Sequence, residues 1–352
     1  MKQTSTILVA PLNWGLGHAT RCIPIIRSLI ANGFKVVIGS DGDSLALLSR
    51  EFPNLQTVKL PSYHISYAKK RWWFKFHFLI RSPKLLRAIK AEHNALDTII
   101  ENHSISGVIS DNRFGLYTSN VPTVFITHQL QVLSGITTPL TTFLQKRYVR
   151  QFDECWVPDY QGDPNLSGAL GHPEKTLSNV KYIGPLSRLK KVELPQKWDV
   201  LALLSGPEPQ RSYLEEKLLL KLQNYNGKVL LVRGIIEEGE TRLHKNISIK
   251  NYLTSKELEE TINKSDVVIS RSGYTTLMDL MTLEKKAFFI PTPGQSEQEY
   301  LAGRLESLQI APFSTQEAFT IKDLGRLNQF KGFQKMSKTP DLIELFGLFK
   351  GE

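Results

Sequence analysis

The 352-residue sequence has little cysteine and lacks a long apolar run. Its two cysteines, Cys22 and Cys155, have no metal-ligand spacing and form no paired framework, which fits a reducing compartment, and we assign them no chemistry. No apolar stretch approaches the length of a membrane span. Residues 1–15 have the pattern of a strand and a loop, not of a signal peptide. We therefore expect a cytoplasmic protein.

Internal repeats, low-complexity tracts and paired-histidine motifs are also missing. What is present is the composition of an ordinary globular protein, with 41% hydrophobic and 22% charged residues. The length suits two domains, each able to bury its own core. Residues 160–194 are rich in Pro, Gly and Ser and precede a new series of strands and helices. We predict domains at 1–187 and 188–335, with a final helix in 336–352.

The formal charge of +10 is concentrated in the first half, where residues 1–160 hold 18 Lys and Arg against 10 Asp and Glu. Residues 63–90 mix cations with large aromatic side chains, and this composition favours contact with anionic lipid headgroups. The residues expected to face a membrane are Lys70, Arg71, Trp72, Trp73 and Lys75. The alternative is a helix whose aromatic residues fill the first core and whose cations face solvent. A nucleic-acid surface is not expected, because no nucleic-acid motif accompanies the segment.

Two polar turns follow neighbouring strands in residues 267–302. Strand 267–270 leads to Gly273, which permits unusual backbone angles and close ligand approach, and Thr275 or Thr276 is predicted to cap the next helix. Asp279 lies one turn further on. Strand 287–291 ends in Thr-Pro-Gly, after which Gln295, Glu297 and Gln298 open another helix. Because ligands bind at the carboxyl ends of parallel strands, these turns indicate a nucleotide site. The alternative is a pair of ordinary turns and caps.

A glycine-bearing loop follows the first strand, at residues 6–10, and leads into a helix predicted at 19–31. Gly15 and Gly17 allow backbone N–H groups to approach a phosphate. His18 is the candidate general base, because imidazole titrates near the working pH. Asn13 and Arg21 are predicted on the side of the acceptor, the molecule whose hydroxyl proton this base would remove. A structural histidine and a surface arginine are the alternatives.

Further polar residues end other predicted strands. Asp111 and Asn112 end strand 103–111, and His128 lies at the end of strand 123–129. We predict Asp111 as partner of the base or the acceptor, with Asn112 and His128 beside it; helix capping is the alternative. Strand 155–159 is predicted to be the last of this half. In the second half, Ser205 and Gly206 follow strand 200–204, and Arg211 is the candidate for neutralising a diphosphate.

Two sequences, SRSGYTTLMD at 270–279 and EQEYLA at 297–302, resemble the donor signature of family 28 glycosyltransferases, and GLGHATRC at 15–22 is similar to their first loop. The resemblance implies an α/β protein of the GT-B fold, in which two Rossmann-like domains face a central cleft and the final helix returns to the first domain. It places Asp279 on the ribose and Glu297 and Gln298 on the donor sugar. The family usually has Glu in place of Asp279 and Gln-Gln in place of Glu297-Gln298.

The implied function is inverting, metal-independent transfer of an N-acetylhexosamine from a UDP-sugar to a hydroxyl of a lipid-linked or glycan acceptor. No cofactor is expected beyond the donor. His18 and Asp111 are the predicted catalytic residues. The predicted donor-binding residues are Gly15, Gly17, Ser205, Gly206, Arg211, Ser272, Gly273, Thr275, Thr276, Asp279, Gln295, Glu297 and Gln298. The enzyme would be peripheral on the inner face of the cell membrane. A UDP-sugar hydrolase of the same fold and a non-enzymatic basic lipid- or nucleic-acid-binding protein are the alternatives.

Overall fold

The computed structural model describes residues 5–63, 83–235, 241–334 and 341–350. Over these residues the chain divides into two compact units. The first contains the described residues up to Ser187 together with the C-terminal segment 341–350, and the second begins at Arg188. The residues predicted to face a membrane, from Lys70 to Lys75, lie outside the described residues. Within the described part of the chain, no helix is both long and apolar enough to cross a membrane.

The first unit contains a parallel sheet with the strand order β3-β2-β1-β4-β5-β6-β7. The strands are β1 Thr6–Pro11, β2 Lys35–Ser40, β3 Gln56–Lys59, β4 Gly107–Asp111, β5 Thr123–Ile126, β6 Glu154–Val157 and β7 Val180–Tyr182. Strand β1 is central, with Leu8 paired to Val37 on one side and to Val108 on the other. Its apolar residues are buried, as expected for a parallel strand covered on both faces.

Two sequence predictions for this unit are wrong. The strand at 155–159 is not the last, because β7 forms within the predicted linker and pairs with β6. The strand predicted at 103–111 begins only at Gly107, because His103 ends a long helix. The amphipathic pattern of that helix, with Leu85, Ile89 and Leu96 buried on one face, continues through residues that had been assigned to strand.

Helices of the first unit are α1 Leu16–Ala31, α2 Gly42–Glu51, α3 Pro83–His103 and α4 Thr138–Val149. The C-terminal segment, with a helix at Leu342–Leu345 and a 3₁₀ turn at Phe346–Lys350, also belongs to this unit. Its Phe346 is fully buried, with its ring 5.7 Å from that of Phe34. The ring of Phe349 lies against Gly107, which has no side chain to obstruct it. The segment therefore completes the core of the first unit.

The second unit contains a sheet with the order β10-β11-β9-β8-β12-β13. The strands are β8 Trp198–Leu203, β9 Val229–Val232, β10 Arg242–His244, β11 Ile247–Lys250, β12 Ser265–Ser270 and β13 Lys286–Phe289. Only the β10–β11 pair of this sheet is antiparallel. The helices are α5 Gln210–Leu222, α6 Ser255–Asn263, α7 Tyr274–Thr282 and α8 Ser296–Ser307, followed by a 3₁₀ helix at Ile321–Gln329.

Each sheet has a point at which the strand order reverses. In the first unit the chain moves outward from β1 to β3 and then returns to place β4 on the other side of β1. In the second unit β12 lies on the side of β8 opposite to β9. Connections leave the sheet in opposite directions at such a point, so a crevice opens at the carboxyl ends of the strands. His18 and Asp111 lie at the first switch point, and Gly206 and Gly273 at the second.

We expect Phe346→Ala to lower the free energy of unfolding of the first unit by about 3–5 kcal/mol. The substitution leaves a cavity that the surrounding core side chains do not fill. The midpoint of urea unfolding, followed by tryptophan fluorescence, measures the effect. Ile343→Ala is the matched control, because Ile343 lies in the same segment but is 45% exposed. Equal midpoints for the two variants would contradict the proposed packing of this segment.

Candidate active site

The first unit brings together a histidine, an arginine and a carboxylate at the carboxyl edge of its sheet. His18 and Arg21 lie in the first turns of α1, which begins at Leu16, three residues earlier than predicted. Asp111 is the last residue of β4. The His18 Nδ1 atom is 2.8 Å from Asp111 Oδ1, and Arg21 donates from Nε and Nη2 to the two carboxylate oxygens. The fold thus joins residues that are 90 or more positions apart in sequence.

Asp111 is held ionised in the interior. Its side chain is fully buried, which by itself raises the pKa of a carboxyl group, but the Arg21 charge and then His18 outweigh burial and hold the pKa of Asp111 at about 2. Because this folded-state value lies below the ordinary 3.8, the group stabilises the fold above about pH 4 and loses that contribution as pH falls towards 2.

The ionised state of Asp111 decides the tautomer of His18. A carboxylate can only accept hydrogen bonds, so the proton of neutral His18 must be on Nδ1, which donates to Asp111. Arg21 Nη2, at 2.9 Å from the same nitrogen, then makes only an electrostatic contact. Burial and the Arg21 charge lower the pKa of His18, although Asp111 acts in the opposite direction. His18 is therefore a neutral imidazole with the lone pair on Nε2, the form that a general base requires.

Arg21 and His128 complete this cluster. Arg21 is only 2% exposed, so it is not a surface residue. Its Nη1 lies 3.2 Å from Nδ1 of His128, which is also buried and follows β5. Arg21 therefore connects the last residue of β4 and the turn after β5 to helix α1.

The other residues predicted in this half lie just after β1 and β4 or at the start of α1. Asn13 Nδ2 donates to Asp41 Oδ2 at 3.3 Å, and Asn13 Oδ1 accepts from the backbone of Ser44. Asn112 has a φ of 56°, a left-handed conformation that asparagine tolerates better than most residues. Gly15, with a φ of 75°, precedes α1, and a Cβ built on it would meet no atom within 4 Å. Gly17 accepts a bond from the Thr20 hydroxyl at 3.1 Å.

A buried network beside this cluster was missed from the sequence. Arg113, fully buried, donates to the carbonyl of Pro11 at 3.0 Å, to Glu92 Oε1 at 2.7 Å and to Asp41. Tyr63 donates to the other oxygen of Glu92 at 2.7 Å. This network braces the ends of β1 and β4. A signal was available, because Glu92 is spaced by three or four residues from Ile89 and Leu96 and so lies on the apolar face of α3.

In the second unit, hydrogen bonds link the two polar turns of residues 267–302. The buried Ser272 donates to the carbonyl of Gln298 at 2.7 Å, and Gln298 Oε1 accepts from the backbone of Thr292 at 2.8 Å. The turn after β12 is thereby tied to the start of α8. Gly206, with a φ of 102°, lies near the same place, because a Cβ on it would be 3.9 Å from Thr292 Oγ1.

The start of α7 differs from the prediction. Gly273 is the N-cap residue and no side chain caps the helix, so neither Thr275 nor Thr276 has the predicted capping role; they are the second and third helical residues. Gly273 has an ordinary φ of −73°, and the nearest side-chain atom to a built Cβ would be Thr276 Oγ1 at 4.0 Å. Neither backbone strain nor internal packing therefore requires glycine here. Because glycine has no side chain, it leaves the backbone N–H groups at this helix N-terminus open to a ligand.

The remaining predicted donor residues surround these turns. Asp279 lies on α7, half-buried, one turn beyond the threonines. Gln295 is the N-cap residue of α8, and its buried Oε1 atom has no hydrogen-bond partner among the described residues. Glu297 lies in the first turn of α8. Ser205 is exposed on the loop that follows β8.

Arg211 is engaged by carboxylates. Its Nε lies 2.7 Å from Glu208 Oε1 and its Nη1 2.7 Å from Glu215 Oε2. Burial opposes the protonated form, but these bonds outweigh it and raise the pKa of Arg211. With two carboxylates beside it, the guanidinium has little positive charge to offer an anion, so its role on a diphosphate stays a prediction. In the described part of the chain, no group of three or more His, Cys, Asp and Glu could hold a metal ion.

We expect His18 to titrate below the ordinary imidazole pKa of 6.5, because burial and Arg21 disfavour the charged ring. A pH series of nuclear magnetic resonance spectra measures this directly, with His18→Gln used to assign the signal. A midpoint at or above 6.5 would contradict the geometry, since it would require Asp111 to outweigh both burial and Arg21.

Comparisons with known proteins show similarity to glycosyltransferases. Residues 211–328 match the glycosyltransferase family 28 C-terminal domain. An uncharacterised glycosyltransferase of Methanopyrus kandleri is 25% identical over 299 residues, covering 79% of this chain and 83% of the relative. A UDP-N-acetylglucosamine–N-acetylmuramyl-(pentapeptide) pyrophosphoryl-undecaprenol N-acetylglucosamine transferase of Buchnera aphidicola is 24% identical over 298 residues, covering 76% and 79%.

A solved structure extends the similarity to the whole chain. The glycosyltransferase of kitacinnamycin superposes with a TM-score of 0.63 at 15% identity, covering 100% of this chain and 94% of that one. At this identity the likeness shows the fold. The expected α/β architecture of the GT-B fold is confirmed. Residues 211–328 of the second unit match the family 28 C-terminal domain, and the protein is a glycosyltransferase.

Proposed function

We propose that the protein is an inverting glycosyltransferase that moves an N-acetylhexosamine from a UDP-sugar to a hydroxyl group of a lipid-linked or glycan acceptor. The observation that carries the proposal is the His18–Asp111 pair. It holds a neutral imidazole, with its basic nitrogen unprotonated, at the switch point of the first sheet. A site of this kind suits removal of a proton from an alcohol.

The proposed reaction is a single displacement. The Nε2 atom of His18 takes the proton of the acceptor hydroxyl as that oxygen attacks the anomeric carbon of the donor. The bond between this carbon and the diphosphate oxygen breaks, and UDP departs with the electron pair. Nδ1–H of His18 donates to Asp111 throughout, so the carboxylate stabilises the imidazolium that forms. Attack opposite to the leaving group inverts the anomeric configuration.

The donor side of the proposal rests on the turns after β8, β12 and β13. The uncovered backbone at Gly273 and the N-terminus of α7 suit a phosphate. Asp279 is proposed for the ribose hydroxyls, and Glu297 and Gln298 for the sugar. Helix N-termini can stabilise a departing diphosphate without Mg²⁺, so we propose a metal-independent reaction.

The acceptor class and the location of the protein are inferred from a relative and from composition. The name of the Buchnera relative gives a UDP-N-acetylglucosamine donor and an undecaprenol-linked acceptor for that protein. By this similarity we propose a lipid-linked acceptor and a peripheral position on the inner face of the cell membrane. The basic and aromatic composition of residues 63–90 supports this position.

The direct test is calorimetric titration with UDP and other nucleoside diphosphates in the absence of divalent metal, followed by assay of UDP-N-acetylglucosamine with acceptor sugars linked to polyprenyl diphosphate. Saturable UDP binding and acceptor-dependent release of UDP would support the proposal. UDP release that is independent of acceptor would identify a hydrolase instead. A folded protein that binds no nucleotide would exclude both reactions as described.

For catalysis, we expect His18→Gln to lower kcat by about 10²–10⁴-fold while leaving UDP affinity nearly unchanged, because the substitution removes only the base. Steady-state kinetics and calorimetry on the same preparation separate the two effects. His244→Gln is the matched control, since His244 is exposed on the edge strand β10. A His18→Gln variant with wild-type kcat would rule out this residue as the base.

For donor binding, we expect Gly273→Ala to lower the free energy of unfolding by no more than about 1 kcal/mol, because the chain has room for the methyl group and the only cost is that alanine is a poorer N-cap residue than glycine. The same methyl group would obstruct a phosphate, so UDP binding should weaken by about 1–3 kcal/mol. Gly303→Ala serves as control, because Gly303 lies in α8 and its Cβ would also meet nothing within 4 Å. Equal UDP affinity in both variants would remove Gly273 from the donor site.

A further inference from the structure

Arg271 is a buried cation whose hydrogen bonds all go to neutral groups. It follows β12 directly and is 1% exposed. Its Nη1 atom donates to the carbonyls of Ile290 and Pro291, both at 3.0 Å. Its Nη2 atom donates to the carbonyl of Gln210 at 2.9 Å and to the side-chain oxygen of Gln316 at 2.7 Å. The buried Nε has no hydrogen-bond partner among the described residues.

This environment contrasts with that of Arg211 in the same unit. Arg211 has two carboxylates within 2.7 Å, so its charge is compensated. Within the part of the chain that the structure describes, Arg271 forms no ion pair. Burial alone lowers its pKa, to about 10, which still leaves the group protonated at neutral pH. A buried charge without a counter-charge is costly, so a full positive charge at this position calls for an explanation.

The position of Arg271 explains why a positive charge is buried here. Its four acceptors lie at the end of β13, at the start of α5 and in the segment before the 3₁₀ helix, so the guanidinium joins the turns after β8, β12 and β13. These turns carry Gly206, Ser272 and Thr292. Two buried hydroxyls at the same edge, those of Ser270 and Thr292, also lack hydrogen-bond partners among the described residues. The carboxyl edge of the second sheet thus combines a positive charge with hydroxyl groups that have no hydrogen-bond partner among the described residues.

We propose that Arg271 is a positioning residue for the donor diphosphate. It holds the three turns together, and its uncompensated charge creates a positive potential at the carboxyl edge of the second sheet. The inference rests on the proposed function and assigns to Arg271 the electrostatic role that the sequence had suggested for Arg211. Because the guanidinium is buried, it acts through the potential and the turns and does not touch the ligand. In low-dielectric surroundings such a potential extends over several ångströms.

The potential has a measurable signature, because its effect scales with ligand charge. UDP carries the charge of its phosphates and uridine carries none, so Arg271 should strengthen the binding of UDP and not that of uridine. It should therefore raise the uridine-to-UDP ratio, which is the dissociation constant of uridine divided by that of UDP. If Arg271 were purely structural, its substitution would weaken the binding of both ligands together. Arg271→Gln removes the charge and keeps polar atoms, whereas Arg271→Lys keeps the charge and loses the planar fork.

The test compares wild type, Arg271→Gln, Arg271→Lys and the control Arg326→Gln, with UDP titrated by calorimetry and uridine by nuclear magnetic resonance. We expect Arg271→Gln to lower the uridine-to-UDP ratio by about tenfold or more, with uridine affinity nearly unchanged. Arg271→Lys should keep the ratio within about threefold of wild type, because the charge remains. Arg326→Gln should also keep it, because Arg326 lies beside Glu306 and its charge is already balanced.

An unchanged ratio in Arg271→Gln, or a larger fall in Arg326→Gln, would overturn the inference. If Arg271→Gln does not fold, Arg271→Lys decides alone: loss of the UDP preference despite the retained charge would make the residue merely structural. Wild-type protein that binds neither UDP nor other nucleoside diphosphates would instead refute the proposed function itself. The two failures are therefore distinguishable.

Discussion

The buried ion pair between Asp111 and Arg21 is the interaction on which the chemistry of the first unit depends. Because the carboxylate is fully buried, it stays ionised only with a cation beside it, and Arg21 supplies that charge from the first turns of α1. The ionised carboxylate then determines which nitrogen of His18 carries the proton. A basic nitrogen on His18 is thus a consequence of a charge balance formed by distant parts of the chain.

The second unit uses the same topology with a different charge distribution. Parallel strands deliver their carboxyl ends to one edge in both sheets, and both groups of polar residues lie at the point where the strand order reverses. In the first unit the buried arginine is balanced by a carboxylate. In the second unit, Arg271 donates hydrogen bonds only to neutral oxygens, so no carboxylate among the described residues balances its charge. A base requires a balanced environment to remain neutral, whereas a diphosphate site benefits from an excess of positive charge.

Much of the fold followed from local patterns. The apolar strand at β1 and the strand-turn-helix units of residues 267–302 were evident, because buried parallel strands are short apolar runs and glycine marks the turns after them. Strand β7 was missed, because its three residues alternate only weakly and its stability comes from pairing with β6. The capping role predicted for Thr275 or Thr276 was wrong, because α7 begins at Tyr274, with Gly273 as its cap.

What the sequence by itself determined is the set of chemical groups and the order in which strands and turns deliver them: His18 after a glycine loop, Asp111 at a strand end, Gly273 before a helix. Only the tertiary structure decided their states. Whether an arginine is balanced, as Arg211 is, or unbalanced, as Arg271 is, depends on neighbours brought near by folding. Protonation and potential are set by all the charges within a few ångströms, and linear order does not contain those distances.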